Sequence, residues 1–115
     1  MKLLVCGGRD FDRKGVIWDA LDDLHRRDPV ALVITGAAPG ADTQADRWAA
    51  ARGLDRIIVP ANWTGRGKAA GPVRNELMLS MGKPDRVLAF PGGIGTASMC
   101  RLAEKAGVRV ERSGW

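Results

Sequence analysis

The chain has 115 residues, of which 45% are hydrophobic and 27% are charged, and its formal net charge is +5. This length and composition predict one globular domain over residues 1–115 rather than a disordered protein, and the sequence contains no internal repeat. With two distant cysteines, one histidine and no long apolar stretch, the sequence predicts a cytoplasmic protein without a structural disulfide, a metal site, a cofactor or a membrane span.

The N-terminal half of the chain alternates short apolar runs with amphipathic stretches. Residues 2–6 form an apolar run that is typical of a strand buried on both faces of a parallel sheet. In 14–27 the apolar residues recur at helical spacing, so this stretch predicts a helix, and Asp12 is its candidate N-cap. A second buried strand is predicted at 30–34 and a second helix at 42–52.

The C-terminal half continues the same alternation. Strands are predicted at 56–59, 86–90 and 108–111, the last at a sheet edge, and helices at 72–82 and 97–106. The predicted inward faces are Val73, Leu77, Met78 and Met81 in the third helix and Met99, Cys100, Ala103 and Ala106 in the last. Five strands that alternate with four helices predict an α/β fold, a Rossmann-like open parallel sheet with helices on both faces.

Glycine-rich segments follow the first, second and fourth predicted strands. They are Gly7-Gly8-Arg9-Asp10-Phe11, Thr35 to Asp42, and Pro91-Gly92-Gly93-Ile94-Gly95-Thr96. Because ligands of open parallel sheets bind beyond the carboxyl ends of the strands, we expect these loops to form one site. Glycines let backbone N–H groups approach an anion, and the helix after the third segment adds unpaired N–H groups and the positive end of its dipole. The loops therefore predict a phosphate-binding site.

Other familiar motifs are absent. The glycine-rich segments match neither the G-x-G-x-x-G dinucleotide fingerprint nor the P-loop. His25 lies near the end of the first predicted helix, where a cation interacts favourably with the helix dipole, and it is not predicted to be catalytic. In the longest irregular segment, 61–71, Trp63 is predicted either to cover the sheet edge or to stack on a base, with Arg66 and Lys68 as a cationic lid.

Four motifs together resemble the YspA-type, cpYpsA-related branch of the SLOG superfamily, which is related to the LOG phosphoribohydrolases and the Smf/DprA DNA-processing proteins. They are the three glycine-rich segments and Gly71-Pro72-Val73-Arg74-Asn75-Glu76-Leu77-Met78 in the third predicted helix. The motifs span nearly the whole chain and occur in the family's order. The resemblance implies a Rossmann-like fold, a SLOG-like domain and a site for a nucleotide or a nucleotide-derived ligand.

Two positions depart from the LOG pattern, which is P-G-G-x-G-T-x-x-E together with R-K-x-x-M. Arg74 stands where LOG enzymes have their arginine, but Asn75 replaces the lysine and Met99 replaces the glutamate. Methionine can neither stabilise an oxocarbenium-like charge nor activate water. Asp10 is the candidate replacement acid, or else a turn-capping residue, and Asp42 is either a carboxylate at a helix N-terminus or a contact to a ribose hydroxyl.

The loop chemistry and the resemblance together assign the candidate roles. Backbone N–H groups of the third segment are predicted to hold a phosphate, and Arg74 is predicted to contact it through two N–H groups. The predicted ligand-binding residues are Gly7, Gly8, Arg9, Gly36, Gly40, Asp42, Arg74, Asn75, Pro91, Gly92, Gly93, Gly95 and Thr96. The candidate catalytic residues are Arg74 and Asp10, and no metal ligand is predicted.

Three functions follow as hypotheses. The first is binding of a nucleotide or phosphoribosyl-type anion as a sensor or carrier. The second is a nucleotide-processing N-glycosidase, similar to a phosphoribohydrolase, that uses Asp10 in place of the glutamate. The third is a DNA-associated protein of the Smf/DprA type, which the basic charge favours although no Lys/Arg run exceeds two. A homodimer is also predicted, through Met78, Leu79 and Met81 of the third helix.

Overall fold

The computed structural model describes residues 1–62, 65 and 67–115, without the side chain of Lys68. The strands are β1 (Lys2–Cys6), β2 (Leu32–Thr35), β3 (Asp55–Ile58), β4 (Arg86–Ala89) and β5 (Arg109–Arg112). The helices are α1 (Lys14–Arg27), α2 (Ala41–Ala51), α3 (Ala70–Gly82) and α4 (Ile94–Lys105), with a 3-10 turn at Gly67–Ala69. Within the described residues, no helix has both the length and the apolar character needed to cross a bilayer.

All neighbouring strands of the sheet are parallel, and their order is β3-β2-β1-β4-β5. The chain therefore winds outward from β1 in one direction through β2 and β3, and then returns to the other side of β1 through β4 and β5. The reversal leaves a crevice between the carboxyl ends of β1 and β4, which is where open α/β sheets bind ligands. The predicted α/β, Rossmann-like parallel sheet is confirmed.

Two apolar cores lie on opposite faces of the sheet, because successive side chains of a strand point to opposite sides. On one face, α1 and α2 pack against alternate residues of the central strands, namely Leu3, Val5, Val33, Leu88 and Phe90. On the other face, α3 and α4 pack against the residues in between, namely Leu4, Cys6, Ile34, Val87 and Ala89. The three central strands are thus covered on both sides, as the apolar runs predicted.

Helix α1 begins and ends where its apolar spacing predicts, but its predicted cap is wrong. Its buried stripe consists of Ile17, Leu21 and Leu24. The N-cap residue is Arg13, which makes no side-chain capping hydrogen bond, so Asp12 does not cap the helix. The chain enters the helix one residue later than a cap at Asp12 requires.

Helix α3 turns a different face to the sheet from the one that its apolar residues predict. Its buried residues are Ala70, Asn75, Met78 and Gly82, whereas Leu77 is 40% exposed and Met81 is 76% exposed. Gly82 lies directly against Ile34, since a Cβ at this position would be 2.8 Å from the Ile34 Cδ1 atom. Small residues therefore bring the helix close to β2. Because Met78 is buried in the core, it cannot belong to the predicted dimer surface.

Helix α4 begins at Ile94, within the segment that the sequence predicts as a loop. Gly95 and Thr96 therefore belong to its first turn. At its other end, Ala106 is the C-cap residue and is exposed, so the prediction that it faces inward is wrong. The early start of this helix places its N-terminus immediately after the turn at Pro91, at the carboxyl edge of the sheet.

Candidate functional site

A cavity of about 880 Å³ opens at the carboxyl ends of β1 and β4. Its wall contains residues from the loops after β1, β2 and β4 and from helices α3 and α4. The volume lies within the range of small-molecule binding sites. The predicted site residues on this wall are Gly7, Gly8, Arg9, Asp10, Asp42, Arg74, Asn75, Pro91, Gly92, Gly93, Gly95 and Thr96.

The first and third glycine-rich loops are joined to each other by their backbones. The Gly8 N–H donates to the Pro91 carbonyl over 2.8 Å, and a Cβ at Gly8 would lie 2.9 Å from that same oxygen. Gly40, with φ of +79°, lies against the carbonyl oxygens of Gly8 and Arg9 in the same way. These glycines let the loops touch one another, so they fix the shape of the cavity rather than its contact with a ligand.

Arg74 reaches from α3 across to the loop after β2. Its Nη1 donates to the Gly36 carbonyl over 2.7 Å, and its Nε donates to the Oδ1 of Asn75 over 3.0 Å. A Cβ at Gly36 would overlap the guanidinium group, so a larger residue would displace Arg74 from this position. Within the described residues, Nη2 has no hydrogen-bond partner, and it remains available to an anion in the cavity.

Asn75 holds this arginine in place. The side chain is 4% exposed, and its Nδ2 donates to the Gly95 carbonyl over 3.3 Å while its Oδ1 accepts from Arg74. Both halves of the amide are therefore used within the protein, and they tie α3 to the first turn of α4. Asn75, which was predicted to touch the ligand, lies on the cavity wall and also positions Arg74.

Asp42 is a buried carboxylate at the N-terminus of α2 and on the cavity wall. Its Oδ2 accepts hydrogen bonds from the N–H groups of Gly36 and Ala38, over 3.0 and 3.3 Å. Burial raises the pKa of Asp42 from 3.8 to about 6, although these hydrogen bonds and the charge of Arg74 oppose the rise. The carboxylate is 6% exposed and organises the loop after β2 around Arg74.

The N-terminus of α4 presents unpaired N–H groups at the cavity. The N-cap, Gly93, carries no capping side chain, and the N–H groups of Ile94, Gly95 and Thr96 have no acceptor within the helix. A Cβ at Gly93 or Gly95 would meet nothing within 4 Å. This end of the helix is therefore open, in contrast to the glycines after β1 and β2, and it carries the positive end of the dipole.

Among the described residues, three arginines line the cavity: Arg9, Arg74 and Arg101. None of them forms a salt bridge with a carboxylate within the described part of the chain. The arginines that do so lie elsewhere and are Arg26, Arg27, Arg52, Arg56, Arg86 and Arg112. The carboxylates Asp10 and Asp42 lie on the same wall, so the three arginines leave a net excess of one positive charge, which favours an anionic ligand.

Arg101 was missed as a site residue by the sequence reasoning. It lies on the cavity wall together with Ile94 and Ser98 of the same helix. The spacing of these residues, i, i+4 and i+7, places them on one face of α4. That spacing would have revealed Arg101 once the helix was extended back to Ile94.

The inner wall of the cavity is formed largely by sulfur-containing side chains. Met78, Met99 and Cys6 line it, and all three are nearly completely buried. Met99 occupies the sequence position at which LOG enzymes have a glutamate. The wall at this point is apolar, and it carries no group that can accept a proton.

Two predicted ligand residues do not reach the cavity wall. Gly36 lies behind the Arg74 guanidinium, and Gly40 lies behind the backbone of the first loop. The predicted roles of Trp63, Arg66 and Lys68 fall on parts of the chain that the structure does not describe. Asp10 lies on the cavity wall and is exposed, next to Arg9.

An open parallel sheet with a cavity at the β1/β4 switch point defines a Rossmann-like α/β protein. Residues 1–65 match the family YAcAr, described as the YspA, cpYpsA-related SLOG family. A relative, the Gene 61 protein of Mycobacterium phage D29, is 40% identical over 121 residues, an alignment that covers 98% of this chain and 96% of the relative. The chain belongs to this SLOG family. Membership indicates binding or processing of a nucleotide-related ligand.

Proposed function

We propose that the chain binds a nucleotide or a related phosphate ester in the cavity and acts as a sensor or carrier of that ligand. The observation that best supports this proposal is the position of Arg74. Its guanidinium is fixed by Gly36 and Asn75, Nη2 has no partner among the described residues, and Arg74 shares the cavity wall with the open N-terminus of α4. A guanidinium and a helix N-terminus are both well suited to bind a phosphate group.

The other arginines of the cavity support an extended ligand. Arg101 is seven residues beyond Ile94 on the same helix, which corresponds to ~10 Å along the helix axis at 1.5 Å per residue. A phosphate at the helix N-terminus leaves Arg101 for a second polar group of the ligand. The volume of about 880 Å³ accommodates a base and a ribose besides the phosphate.

Binding is favoured over hydrolysis because of what surrounds Met99. This side chain is 1% exposed and belongs to the apolar cluster with Met78 and Cys6. N-glycosidic cleavage needs a carboxylate that stabilises the oxocarbenium-like transition state or activates water. The position that carries this acid in LOG enzymes offers only a thioether here.

A nucleotide-processing enzyme is the second candidate, and Asp42 is the observation that favours it. A buried carboxyl group with a pKa of about 6, close to the charge of Arg74 and on the cavity wall, has the properties of a general base. Asp10 is a further carboxylate on the same wall, although it is exposed. Either acid would have to act on a ligand that Arg74 positions.

Calorimetric titration with AMP, GMP, CMP, UMP and ribose 5-phosphate tests the proposal. We expect at least one of them to bind without release of free base, which chromatography of the same samples detects. Because Arg74 supplies a charged hydrogen bond, Arg74→Ala is expected to lower the affinity ~10- to 100-fold. Arg47→Ala is the matched control, since Arg47 is exposed on α2 and lies outside the cavity wall.

Three outcomes separate the candidates. Wild-type affinity in Arg74→Ala, or no binding of any phosphorylated compound, contradicts the proposed function. Release of free base that disappears in Asp42→Asn or Asp10→Asn establishes the enzyme instead. A salt-dependent shift of single-stranded DNA in the absence of nucleotide binding supports a DNA-associated protein.

A further inference from the structure

The two oxygen atoms of the Asp42 carboxylate have different surroundings. Oδ2 accepts hydrogen bonds from the N–H groups of Gly36 and Ala38, over 3.0 and 3.3 Å, and thereby holds the loop after β2 in place. Within the described residues, no group donates a hydrogen bond to Oδ1. The contacts to the loop therefore account for only one half of this carboxylate.

Oδ1 is in contact with solvent although the residue is almost completely buried. In the described part of the chain, the fully buried side-chain oxygens without a partner are Thr35 Oγ1 and Asp46 Oδ1, and Asp42 Oδ1 is not one of them. Asp42 as a whole is 6% exposed and lies on the cavity wall. The small exposed part of the side chain therefore includes Oδ1, and the solvent that it meets is that of the cavity.

Gly36 places this carboxylate beside Arg74. The Gly36 N–H donates to Asp42 Oδ2, and the Gly36 carbonyl accepts from Arg74 Nη1. Both side chains lie on the cavity wall, and Arg74 Nη2 and Asp42 Oδ1 have no partner among the described residues. A phosphate that binds Nη2 therefore brings the rest of the ligand close to Oδ1.

The two unpaired atoms require opposite chemistry from a ligand. A guanidinium N–H donates to a phosphate oxygen, whereas an ionised carboxylate only accepts hydrogen bonds and repels a second negative charge. Oδ1 therefore needs a neutral hydrogen-bond donor close to the phosphate. In a phosphorylated sugar, the phosphate oxygens are acceptors, and the nearest donors are the hydroxyl groups of the sugar.

We propose that Asp42 recognises a free sugar hydroxyl and makes the cavity selective for ribonucleotides and ribose phosphates over their deoxy forms. Oδ1 accepts the hydrogen bond of the hydroxyl while Arg74 holds the phosphate, and Oδ2 keeps the loop in place. The two roles that the sequence leaves open for Asp42 then apply together, one to each oxygen. This inference rests on the proposed function and names its ligand class, a phosphate ester of ribose.

Selectivity follows from the burial of the carboxylate. A ligand without the hydroxyl would cover Oδ1 and give it no donor, and leaving a buried charged group without its hydrogen bond is costly. Sites that bind a hydroxyl in this way reject the analogue that lacks it. Internal nucleotides of DNA offer neither a 2′-hydroxyl nor a free 3′-hydroxyl, so the same carboxylate disfavours DNA in the cavity.

Calorimetric titration of the wild type at pH 8, where Asp42 is ionised, tests the selectivity. AMP, GMP, CMP and UMP are compared with their 2′-deoxy and 3′-deoxy forms. For a nucleotide that binds, we expect at least one deoxy form to bind ~10- to 100-fold more weakly, because a charged hydrogen bond is lost. Equal affinities of all three forms overturn the inference and leave the proposed function intact. If no phosphorylated compound binds, the proposed function fails and this inference fails with it.

Asp42→Asn tests whether this residue is the source of the selectivity. Asparagine keeps one oxygen for the N–H groups of the loop and replaces the other by an NH₂ group, which cannot accept a hydrogen bond. The ratio of affinities between the ribose and deoxy forms should therefore fall severalfold. Asp46→Asn is the matched control, since it makes the same change on the same helix but outside the cavity wall, and it should keep the wild-type ratio. An unchanged ratio in Asp42→Asn overturns the inference.

Carbon-13 NMR of the Asp42 carboxyl group provides a test in the wild type, which does not depend on the folding of a variant. At saturation with the nucleotide that binds, the carboxyl resonance should shift from its position in the free protein. Saturation with the weaker deoxy form should produce a smaller shift, because the phosphate is bound but the hydroxyl is absent. Identical shifts with both forms would show that Oδ1 does not contact the hydroxyl.

Discussion

Gly36 and Gly40, in the loop after β2, differ from Gly93 and Gly95, after β4, in what surrounds them, whereas Gly92 is packed against Thr96 and Gly8. Gly36 and Gly40 lie so close to a guanidinium and to backbone carbonyls that a methyl group at either position would overlap them. Gly93 and Gly95 face open space at the N-terminus of α4. The first pair supports the cavity wall from behind, and the second pair leaves room inside the cavity.

The comparison shows that a glycine-rich loop after a strand has two separable uses. One is close packing between loops, which the protein needs whether or not it binds a ligand. The other is access to unpaired N–H groups, which matters only when an anion is bound. Substitutions at the two kinds of position should therefore separate stability from binding.

The largest effect is expected for Gly40→Ala. The residue has φ of +79°, and its Cβ would overlap the carbonyl oxygens of Gly8 and Arg9, so we expect a loss of ~2–4 kcal/mol in the free energy of unfolding. Gly53→Ala is the matched control, because Gly53 has φ of +70° but an added Cβ would meet nothing within 4 Å. Urea denaturation should show a loss of only ~1 kcal/mol for this control. Equal losses in both variants would mean that loop packing contributes nothing.

A pH-dependent effect is expected from Asp42, which lies in the packed region. Its pKa is about 6 in the folded chain, above its ordinary value of 3.8, so the folded state binds more protons between these values. The contribution of Asp42 to stability should therefore fall as the pH rises from about 4 to 6, by on the order of 2–3 kcal/mol, and stay constant above.

The difference between the wild type and Asp42→Asn isolates this contribution from that of the other carboxyl groups. The free energies of unfolding of the two proteins should be measured by urea denaturation at intervals between pH 4 and pH 7. We expect the difference between them to change with pH up to about 6. Asp22→Asn is the contrasting variant, because Arg52 and Trp48 lower the pKa of Asp22 through hydrogen bonds. Its difference from the wild type should change only at lower pH. If the difference in unfolding free energy between the wild type and Asp42→Asn is constant from pH 4 to pH 7, the raised pKa of the buried Asp42 is contradicted.

A smaller effect on stability, with a clear effect on binding, is expected for Gly95→Ala. Alanine favours helix formation relative to glycine by up to ~1 kcal/mol, and the added methyl group meets no protein atom within 4 Å. The free energy of unfolding should therefore stay the same or rise. The methyl group would occupy space beside the unpaired N–H groups, so affinity for the bound nucleotide should fall about tenfold. Unchanged affinity in calorimetry would place the phosphate elsewhere.

The smallest effect on stability is expected at the outward face of α3. Met81 is 76% exposed and Leu77 is 40% exposed, so this face remains the candidate surface for the predicted homodimer. Met81→Lys should leave the unfolding free energy within ~0.5 kcal/mol of the wild type, since surface changes are usually of this size. We expect light scattering to report a dimer for the wild type and a monomer for Met81→Lys. A monomeric wild type would end the dimer prediction.

Much of the fold could be predicted because the signals are local. Short apolar runs predict the buried strands, and an apolar repeat of 3.6 residues predicts the helix of 14–27. Both bounds of this helix are correct. The face of α3 could not be predicted in this way. Leu77 and Met81 are more apolar than Asn75 and Gly82, yet the latter are buried, because close contact with Ile34 and hydrogen bonds to neighbouring loops decide the orientation.

Some features of the candidate site could likewise be predicted from the sequence, and others depend on the packing of the helices. The glycine-rich segments and Arg74 can be recognised as sequence motifs. The alternation of strands and helices also predicts a parallel sheet, which brings the three loops to one edge. The use of Asn75 inside the protein, and the presence of Arg101 on the wall, depend on where α3 and α4 sit in three dimensions.

The sequence by itself determined the α/β class, the order of the elements and the family. These depend on the period of the apolar residues, on glycine and proline at the ends of elements, and on the spacing of the motifs. The tertiary structure decided which glycines are packed, which are open, and which side chains hold Arg74. Such properties are set by distances between elements that are remote along the chain. No local pattern encodes them, because the same glycine fits a crowded contact and an open one equally well.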